Sequence, residues 1–552
     1  MPGGRRWGYR ILVVACLLAL GSCWSPGGGA PAAGGPEDVP SRELRPGEAP
    51  PESEYWLEPG YKLELVVGRL TYPRMVTFGA GGELYVAEAG YAYGPATSIP
   101  RVLRVLRGGG LREVARLPDG PITALSYREG FLYAVGGRAP AAVWRINPTN
   151  GHVQTLVSGL PVWGHHFTSA IAFNDDTGKL YFAVGTPSNA GVIGLDDYWT
   201  FGYLPLFPTA RDIPAVDLQL VGRNFVTENP FTADPDDQAT TGAFKPFGTP
   251  SQPGELIEAG EPPAVTGAIM RCNPDGTDLE LVASGFRNVS GLGFAPDGRL
   301  LAIDQGMDNT GSRPVVNDHD SLWEVQYGGW YGFPDYPSGR PISDPSFAPP
   351  GKPAPEPLLL AHPPLAAGPY HRFEPAAAAH HFDFSRDRRF GFTGQMFVAQ
   401  YGSHFSEVTV GHRVVRFDLD SRAVADFYVN LAPGPVGSAP ERPIAARFGP
   451  DGNLYLVDFG KLAAVPGVFF PSALSGAVWR ISPRRTIMTG WVDPRLIAPL
   501  LAAGGLALLT LAGLLCGAGE GGSGAFKGVS GRTGRCSRRE RSAGAAGRRR
   551  KR

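Results

Sequence analysis

Residues 445–458 read AARFGPDGNLYLVD: an alternating apolar run, a Gly-Pro-Asp-Gly turn and a second apolar run. Asp-Gly flanked by alternating residues is a strong signal for a β-hairpin, two antiparallel strands joined by a tight turn. The same pattern recurs in five more segments, which begin at Met75, Thr123, Ser169, Ser290 and His380. A repeat of this kind predicts a fold built from equivalent units.

A third strand is predicted after each hairpin, in segments that begin at Arg101, Ala142, Ala268, Ser321, Arg413 and Ala477. Several units continue into a fourth strand, but the last unit has none on its C-terminal side. KLELVVGRL, from Lys62, precedes the first hairpin and is predicted to supply it. Six four-stranded units predict an all-β fold, a six-bladed β-propeller, over residues 55–484. A β-sandwich of similar strands would explain neither the six repeated units nor the position of the strand at Lys62 before the first hairpin.

Composition agrees with a turn-rich β protein. The 552 residues include 76 Gly and 54 Pro, yet 43% are hydrophobic and 11% aromatic, enough for a large core. Two Pro-rich insertions are predicted, at about residues 187–266 and 334–370. The 51 basic and 51 acidic residues balance, so nothing in the bulk charge favours nucleic acid as a partner.

The N-terminal residues resemble a secretory signal. Arg5, Arg6 and Arg10 precede an apolar run that is too short to span a bilayer, so residues 1–23 are predicted to be a signal peptide. The segment ending at Cys23 resembles a lipoprotein processing site; ordinary cleavage nearby is the alternative. Residues 24–54, rich in Gly, Pro and Ala, are predicted to be a flexible linker.

The C-terminal residues predict a membrane anchor. Residues 496–518 carry no charge and are long enough to span a bilayer, after a juxtamembrane stretch at 485–495. The tail at 519–552 is rich in arginine and is expected in the cytoplasm by the positive-inside rule. The chain is therefore predicted to be a single-pass protein of the cell membrane with an extracytoplasmic propeller.

Candidate chemistry lies at the ends of the hairpin strands. Gly164-His165-His166 directly precedes the third hairpin, and a neutral imidazole suits a general base; two ordinary turn histidines are the alternative. Arg287-Asn288 holds the equivalent position before the fourth hairpin. An arginine there could bind a carboxylate or quinone oxygen, or form a salt bridge at a blade edge.

An oxygen-rich loop follows the fourth hairpin. Residues 304–309 read DQGMDN, and Asp, Asn and backbone carbonyl groups suit Ca²⁺, although solvated turn acids are the alternative. The chain has no GxSxG, HExxH, Walker A or strand-linked GxGxxG motif, so nicotinamide and nucleotide chemistry have no support.

Together these segments resemble the soluble quinoprotein glucose/sorbosone dehydrogenase family, in its sorbosone-dehydrogenase-like branch. Members are six-bladed propellers that use pyrroloquinoline quinone (PQQ) and Ca²⁺. The resemblance covers roughly residues 61–483. It is most specific in GFRNVSGLGFAPDGRLLAIDQGMDN, from Gly285, and in DSLWEVQYGGWYGFPDY, from Asp320.

The resemblance implies a role for individual residues. His166 aligns with the catalytic base, and Arg287 with a catalytic arginine that polarises the reactive quinone carbonyl. Three further sets of residues are implied: Asn288 and Arg442 with Arg287 as contacts of PQQ, Gly306 and Met307 as carbonyl ligands of Ca²⁺, and Asp320 as a supporting acid of the same loop.

The sequence also departs from the family pattern. Ile444 replaces the second arginine of a pair near the quinone carboxylates, and Tyr401 lies about where glucose dehydrogenases have a lysine. A channel tryptophan is missing around residues 371–379, and Ser321 replaces an acidic ligand of a secondary calcium site.

The leading expectation is a membrane-tethered PQQ-dependent dehydrogenase that oxidises a sugar or a sugar-derived alcohol or aldehyde. It would pass electrons to an external acceptor. A non-catalytic cell-surface propeller that binds a glycan or protein is the alternative, which the lost cationic residues favour. A metal-dependent lactonase-type hydrolase has no clear set of converging carboxylates in the sequence.

Overall fold

The computed structural model describes residues 44–90, 98–138, 140–403, 409–434, 437–465 and 468–484. They belong to one compact unit that ends at Arg484. The predicted signal peptide, membrane span and basic tail lie outside the described residues. Among the residues that are described, no helix has the length and apolar character needed to cross a membrane.

Short β-strands dominate the structure. In chain order the first twelve are β1 (Tyr55–Leu57), β2 (Tyr61–Leu70), β3 (Pro73–Phe78), β4 (Leu84–Glu88), β5 (Arg101–Val105), β6 (Leu111–Arg116), β7 (Ile122–Arg128), β8 (Phe131–Gly136), β9 (Ala141–Ile146), β10 (Val153–Leu160), β11 (Thr168–Phe173) and β12 (Leu180–Val184). The next eleven are β13 (Leu218–Leu220), β14 (Asn224–Glu228), β15 (Gln238–Gly242), β16 (Leu256–Ile257), β17 (Ala268–Cys272), β18 (Glu280–Ser284), β19 (Val289–Phe294), β20 (Leu300–Asp304), β21 (His319–Glu324), β22 (Leu359–Ala361) and β23 (His371–Pro375).

The chain then continues through β24 (Ala379–Phe384), β25 (Met396–Gln400), β26 (Arg413–Phe417), β27 (Val424–Asn430), β28 (Pro443–Phe448), β29 (Leu454–Asp458), β30 (Leu462–Val465), β31 (Val468–Pro471) and β32 (Gly476–Pro483). Among the described residues the helices are one short α-helix, α1 (Leu195–Trp199), and the 3₁₀ turns Arg107–Gly109, Pro337–Gly339 and Pro345–Phe347.

The strands form six four-stranded antiparallel units in the described part of the chain. In strand order these are β3-β4-β5-β6, β7-β8-β9-β10, β11-β12-β17-β18, β19-β20-β21-β23, β24-β25-β26-β27 and β28-β29-β32-β2. A single parallel pair, His381 with Ala445, joins the last two units, and β1 extends the outer edge of β27. Each predicted hairpin is confirmed as the first two strands of one unit.

The first strands of the six units contact one another in cyclic order: β3, β7, β11, β19, β24, β28 and again β3. Buried hydroxyl groups cross three of these junctions. The Thr123 hydroxyl donates to the carbonyl oxygen of Thr168, that of Ser169 to Val289 (2.6 Å) and that of Ser290 to Ala379 (2.7 Å). These bonds satisfy backbone acceptors at the junctions between sheets, where no ladder supplies a partner.

Strand β2 completes the last unit, as the sequence predicts. It pairs antiparallel with β32 from Tyr61↔Pro483 to Leu70↔Gly476. Leu63 and Val67 are almost fully buried, whereas Lys62 faces solvent, so the two-residue alternation of the sequence is the burial pattern of the strand. The ring of sheets is therefore closed by strands from opposite ends of the described chain.

The end of the predicted linker is held against the body. The Gly47 amide donates to the Leu65 carbonyl oxygen (2.8 Å), and the Leu65 amide donates to that of Glu48 (2.8 Å). The Glu54 carboxylate accepts from the backbone amides of Ser438 (2.6 Å) and Ala439 (2.9 Å). The ordered unit thus begins before residue 55, the boundary predicted from the sequence.

The two predicted insertions meet in one small sheet. Strands β13 and β16 come from residues 187–266 and β22 from residues 334–370, and β13 pairs with both partners. Leu218, Leu220 and Leu358 are buried beneath this sheet. Each insertion supplies part of a shared core that neither could form alone.

Because β2 closes the ring of sheets, we expect mutations on its buried face to lower stability far more than mutations on its solvent face. Leu63→Ala removes a side chain that is 1% exposed and should lower the free energy of unfolding by about 2–5 kcal/mol. Lys62→Ala, on the solvent face of the same strand, should change it by less than about 0.5 kcal/mol. Urea unfolding of both variants measures the difference, and equal effects would mean that β2 is not an integral strand of the ring.

Candidate active site

A cavity of about 360 Å³ opens where the first strands of the units begin. Because the first two strands of each unit are antiparallel, the start of one and the end of the next lie at the same edge of the sheet. Residues from both positions therefore line the cavity. Among the lining residues are six to which the sequence analysis assigned a role: His166, Arg287, Asn288, Gly306, Met307 and Asp320.

His166 lies just before β11 and is 5% exposed. Its Nδ1 is 2.9 Å from the carbonyl oxygen of Thr186 and 3.1 Å from the Thr186 hydroxyl, which itself donates to the Ser188 carbonyl oxygen (2.9 Å). Since a carbonyl oxygen only accepts, the hydrogen of a neutral ring resides on Nδ1. Nε2 then carries the lone pair that a general base needs.

Burial holds the pKa of His166 well below its usual range, and the nearby positive charge of Arg287 lowers the pKa further. The imidazole is therefore neutral at pH 7. Neither the buried location nor the Thr186 partner could be inferred from the Gly-His-His motif alone.

His165 also lines the cavity, but its surroundings differ. Its Nδ1 is 2.9 Å from Oδ1 of Asp197, its ring stacks on Phe201 (3.7 Å between centroids), and the ring of His166 lies 4.3 Å away. Burial lowers the pKa of His165 to about 4. The two adjacent histidines thus have separate partners, and the carboxylate contact belongs to the one that the sequence did not select.

Arg287 is 4% exposed, and its guanidinium is held in a fixed orientation. Nε donates to the Asn189 carbonyl oxygen (2.9 Å), while Nη2 donates to the side chains of Asn189 (2.8 Å) and Asp308 (2.8 Å). Such a network pre-positions a cationic group without requiring rearrangement when charge develops in the cavity. Arg287 thus forms an ion pair with Asp308 and also lines the cavity.

Asn288 is positioned by the next residues of the same unit. Its backbone amide donates to Oδ1 of Asp304 (2.6 Å), and its Nδ2 donates to Oε1 of Gln305 (2.7 Å). Burial raises the pKa of Asp304 to about 7, although the backbone amides of Asn288 and Arg287 oppose the rise.

Gly306 and Met307 follow β20, and their peptide groups are oriented by side chains. The Met307 amide donates to Oδ2 of Asp318 (2.7 Å), and the Asp308 amide donates to Oδ1 of Asn189 (2.9 Å). In a trans peptide the C=O points away from the N–H, so the Gly306 and Met307 carbonyl oxygens are directed away from these partners. Among the described residues neither oxygen accepts a hydrogen bond, and both residues line the cavity.

A side chain has no room at position 306. A Cβ there would lie 2.8 Å from the Asp318 carbonyl oxygen and 3.0 Å from that of His319. The Gly306 amide donates to Oδ1 of Asp320 (3.0 Å), whose Oδ2 accepts from the Ala379 amide (2.6 Å). Asp320 thus joins the carbonyl loop to the next unit.

Arg442, also expected to contact a cofactor, is not among the residues that line the cavity. Its guanidinium lies over the ring of Tyr401, 5.0 Å from the centroid, and its amide donates to Asp458 (2.8 Å). Tyr401 itself lines the cavity, and Ile444 is fully buried. The tyrosine thus occupies the space between Arg442 and the cavity.

Several cavity residues were missed by sequence reasoning. Arg74 lies at the start of β3, while Phe201 and Phe459 supply flat apolar faces. Arg74 precedes the first hairpin as Arg287 precedes the fourth, so its place in the repeat was an available signal. Phe201 comes from an insertion, for which the repeat offers no alignment.

The residues present fit both groups that the family resemblance implies. Two outward-directed carbonyl oxygens suit Ca²⁺, which prefers oxygen ligands. The aromatic faces of Phe201, Tyr401 and Phe459 and the guanidinium groups of Arg74 and Arg287 suit a flat, anionic ring system. The cavity volume is within the range of about 300–1,000 Å³ that is usual for small ligands.

The chain is similar to several solved structures. One is the holo form of a pyranose dehydrogenase PQQ domain from Coprinopsis cinerea, at 17% identity and a TM-score of 0.48, covering 79% of this chain and 98% of the other. A glucose dehydrogenase-type oxidoreductase from Thermus thermophilus has 18% identity and a TM-score of 0.45, covering 76% and 100%. A PQQ-bound aldose sugar dehydrogenase from Streptomyces coelicolor has 15% identity and a TM-score of 0.43, covering 77% and 99%.

No protein-family model matches the chain, and a search of curated proteins found no match.

Asp212, buried near the cavity wall, predicts a pH-dependent stability. Burial raises its pKa to about 7, and its carboxyl group accepts a hydrogen bond from Ser188. The folded state therefore retains a proton that the unfolded state releases near pH 4, and this stabilisation is lost as the pH rises toward 7. Asp212→Asn should match the wild type near pH 4 and be more stable above pH 7.

Thermal or urea unfolding across this pH range tests the expectation. Asp176→Asn, at an exposed turn, is the matched control and should follow the wild-type profile. An Asp212→Asn profile parallel to that of the wild type would contradict the assignment.

Proposed function

We propose that the chain is a six-bladed β-propeller oxidoreductase that oxidises a sugar or a sugar-derived alcohol or aldehyde, with PQQ and Ca²⁺ as cofactors. The observation that carries this proposal is one cavity lined by His166, by Arg287 with its fixed guanidinium, and by Gly306 and Met307, whose carbonyl oxygens accept no hydrogen bond among the described residues. The cyclic contact of six first strands supports the propeller architecture.

His166 is the general base in this proposal. Its Nδ1–H bond to Thr186 fixes the ring, so a substrate hydroxyl that reaches Nε2 can form a hydrogen bond and transfer its proton there. The low pKa of His166 keeps Nε2 unprotonated at neutral pH. Burial of the ring excludes bulk water that would compete for the same lone pair.

Arg287 and Asn288 would contact the quinone, and the carbonyl oxygens of Gly306 and Met307 would bind Ca²⁺. When bound, PQQ supplies the acceptor for the substrate hydride. Arg287 presents positive charge that stabilises a developing oxyanion, and its bonds to Asn189 and Asp308 hold that charge in place. Asp320 and Asp318 fix the peptide groups of the carbonyl loop.

The proposal for the cell includes the ends of the chain. A signal peptide at residues 1–23 and a membrane span at 496–518 would tether the propeller outside the cytoplasm, where an external acceptor reoxidises the cofactor. The Arg-rich tail at 519–552 would lie in the cytoplasm.

A non-catalytic propeller that binds a glycan is the second candidate. The observation that favours it is the position of Arg442 behind Tyr401, which leaves fewer cationic groups around the cavity than the family resemblance implied. The two candidates differ in whether His166 is needed for turnover or is only part of the cavity wall.

His166→Ala tests this difference. If His166 is the base, kcat for dye-linked oxidation of aldoses should fall about 10²–10⁴-fold, while PQQ affinity stays within a few-fold of the wild type. His152→Ala, at an exposed histidine, is the matched control and should retain full activity. Wild-type protein that shows neither a PQQ absorption change nor turnover with added PQQ and Ca²⁺ would exclude the dehydrogenase.

Gly306→Ala tests the calcium ligands. The added Cβ would meet the Asp318 carbonyl oxygen at 2.8 Å, displace the loop and weaken Ca²⁺ binding about 10–100-fold. Gly368→Ala is the control, because nothing lies within 4 Å of a Cβ at that position. Calcium titration of both variants provides the measurement, and equal affinities would place the calcium ligands elsewhere.

A further inference from the structure

A cluster of three buried side chains, one of which lines the cavity, lies outside the residues assigned to the proposed reaction. His165 comes from the turn before β11, and Asp196 and Asp197 are adjacent residues of α1. One ligand atom from each lies within 4.8 Å of the other two. Their exposed fractions are 2%, 9% and 0%.

The two carboxyl groups lack a basic partner. Among the described residues, no Lys or Arg forms an ion pair with Asp196 or Asp197, and the sole ion-pair contact of either is Asp197 with His165. Burying ionised carboxylates is costly unless they are paired, protonated or bound to a metal. Asp196 and Asp197 must therefore either keep their protons or be balanced by a cation.

The histidine faces acceptors on both sides. Its Nδ1 is 2.9 Å from Oδ1 of Asp197, and the ring also forms a hydrogen bond with the backbone of Pro187. Proline has no N–H, so this partner is the carbonyl oxygen and the ring must donate to it. A neutral imidazole has one N–H, so the Nδ1 lone pair then faces the carboxyl oxygen of Asp197, and either a proton of that carboxyl group or a metal ion must lie between the two atoms.

Asp196 provides an independent observation. Its Oδ1 is buried and has no hydrogen-bond partner, whereas its Oδ2 accepts from the Thr310 hydroxyl (3.2 Å). A Cβ on Gly194 or Gly311 would lie 2.8 Å from Oδ1, so glycine at both positions leaves room for the carboxylate. A cation beside Oδ1 would supply the partner that the described residues do not.

We propose that His165, Asp196 and Asp197 bind one divalent transition-metal ion of the Mn²⁺ or Zn²⁺ type. One imidazole nitrogen and two carboxylate oxygens form a mixed donor set that these ions accept, unlike the all-oxygen set expected for Ca²⁺. Donation from the opposite ring nitrogen to a backbone carbonyl is the usual arrangement for a metal-bound histidine.

The metal would act on the cavity wall without taking part in the reaction. It would fix α1 and the ring of His165, whose centroid is 4.3 Å from that of His166. The proposal does not depend on the dehydrogenase, because the cluster shares no ligand with the carbonyl oxygens of Gly306 and Met307.

Metal binding by the full chain tests the proposal. Protein stripped with a chelator should take up one equivalent of Zn²⁺ or Mn²⁺ in calorimetric titration, and Asp196→Asn should weaken this binding at least tenfold. Two controls should bind like the wild type: Asp212→Asn, a buried acid outside the cluster, and Gly306→Ala, which affects only the proposed calcium site.

X-ray absorption of the zinc-loaded wild type gives a readout that needs no variant. It should show one imidazole among nitrogen and oxygen ligands. Stripped wild-type protein that binds neither ion stoichiometrically would overturn the proposal and leave protonated carboxyl groups as the explanation. Unchanged affinity in Asp196→Asn, or a spectrum without imidazole, would also overturn it.

Discussion

The pairing of β2 with β32 is the constraint on which the rest of the structure depends. The ring of first strands is continuous because the last unit is completed by a strand that precedes the first. Without β2, the outer edge of β32 would expose unpaired backbone groups over its whole length. Closure also brings β28 against β3. The pairing of β2 with β32 therefore fixes where the first and last units border the cavity.

The candidate site follows from this closure. Hydrogen bonds between neighbouring sheets lie close to cavity residues. Ser169, three residues after His166, and Ser290, two residues after Asn288, donate to carbonyl groups of the next first strand. The site is therefore built from fixed strand ends, with loops such as that of Gly306 and Met307 held by the carboxylates of Asp318 and Asp320 from the third strand of the same unit and the turn before it.

The repeat made much of the fold predictable, because the Asp-Gly turns and the two-residue alternation act locally. The strand at Lys62 was also predictable, because its residues alternate in the same way and the last unit lacked a fourth strand on its C-terminal side. The site was predictable where the repeat aligns its residues, as at His166 and Arg287. It was not predictable in the insertions, where Phe201, Asp196 and Asp197 depend on long-range packing, nor at Arg442, whose access to the cavity is decided by the neighbouring Tyr401.

The sheet formed by β13, β16 and β22 has a consequence for changing this protein. It joins segments inserted into two different units, with a shared core at Leu218, Leu220 and Leu358. If one insertion were exchanged for that of another protein, the insertion left in place would lose its packing partner. Any attempt to reshape the cavity surroundings by grafting must therefore transplant both insertions as one module.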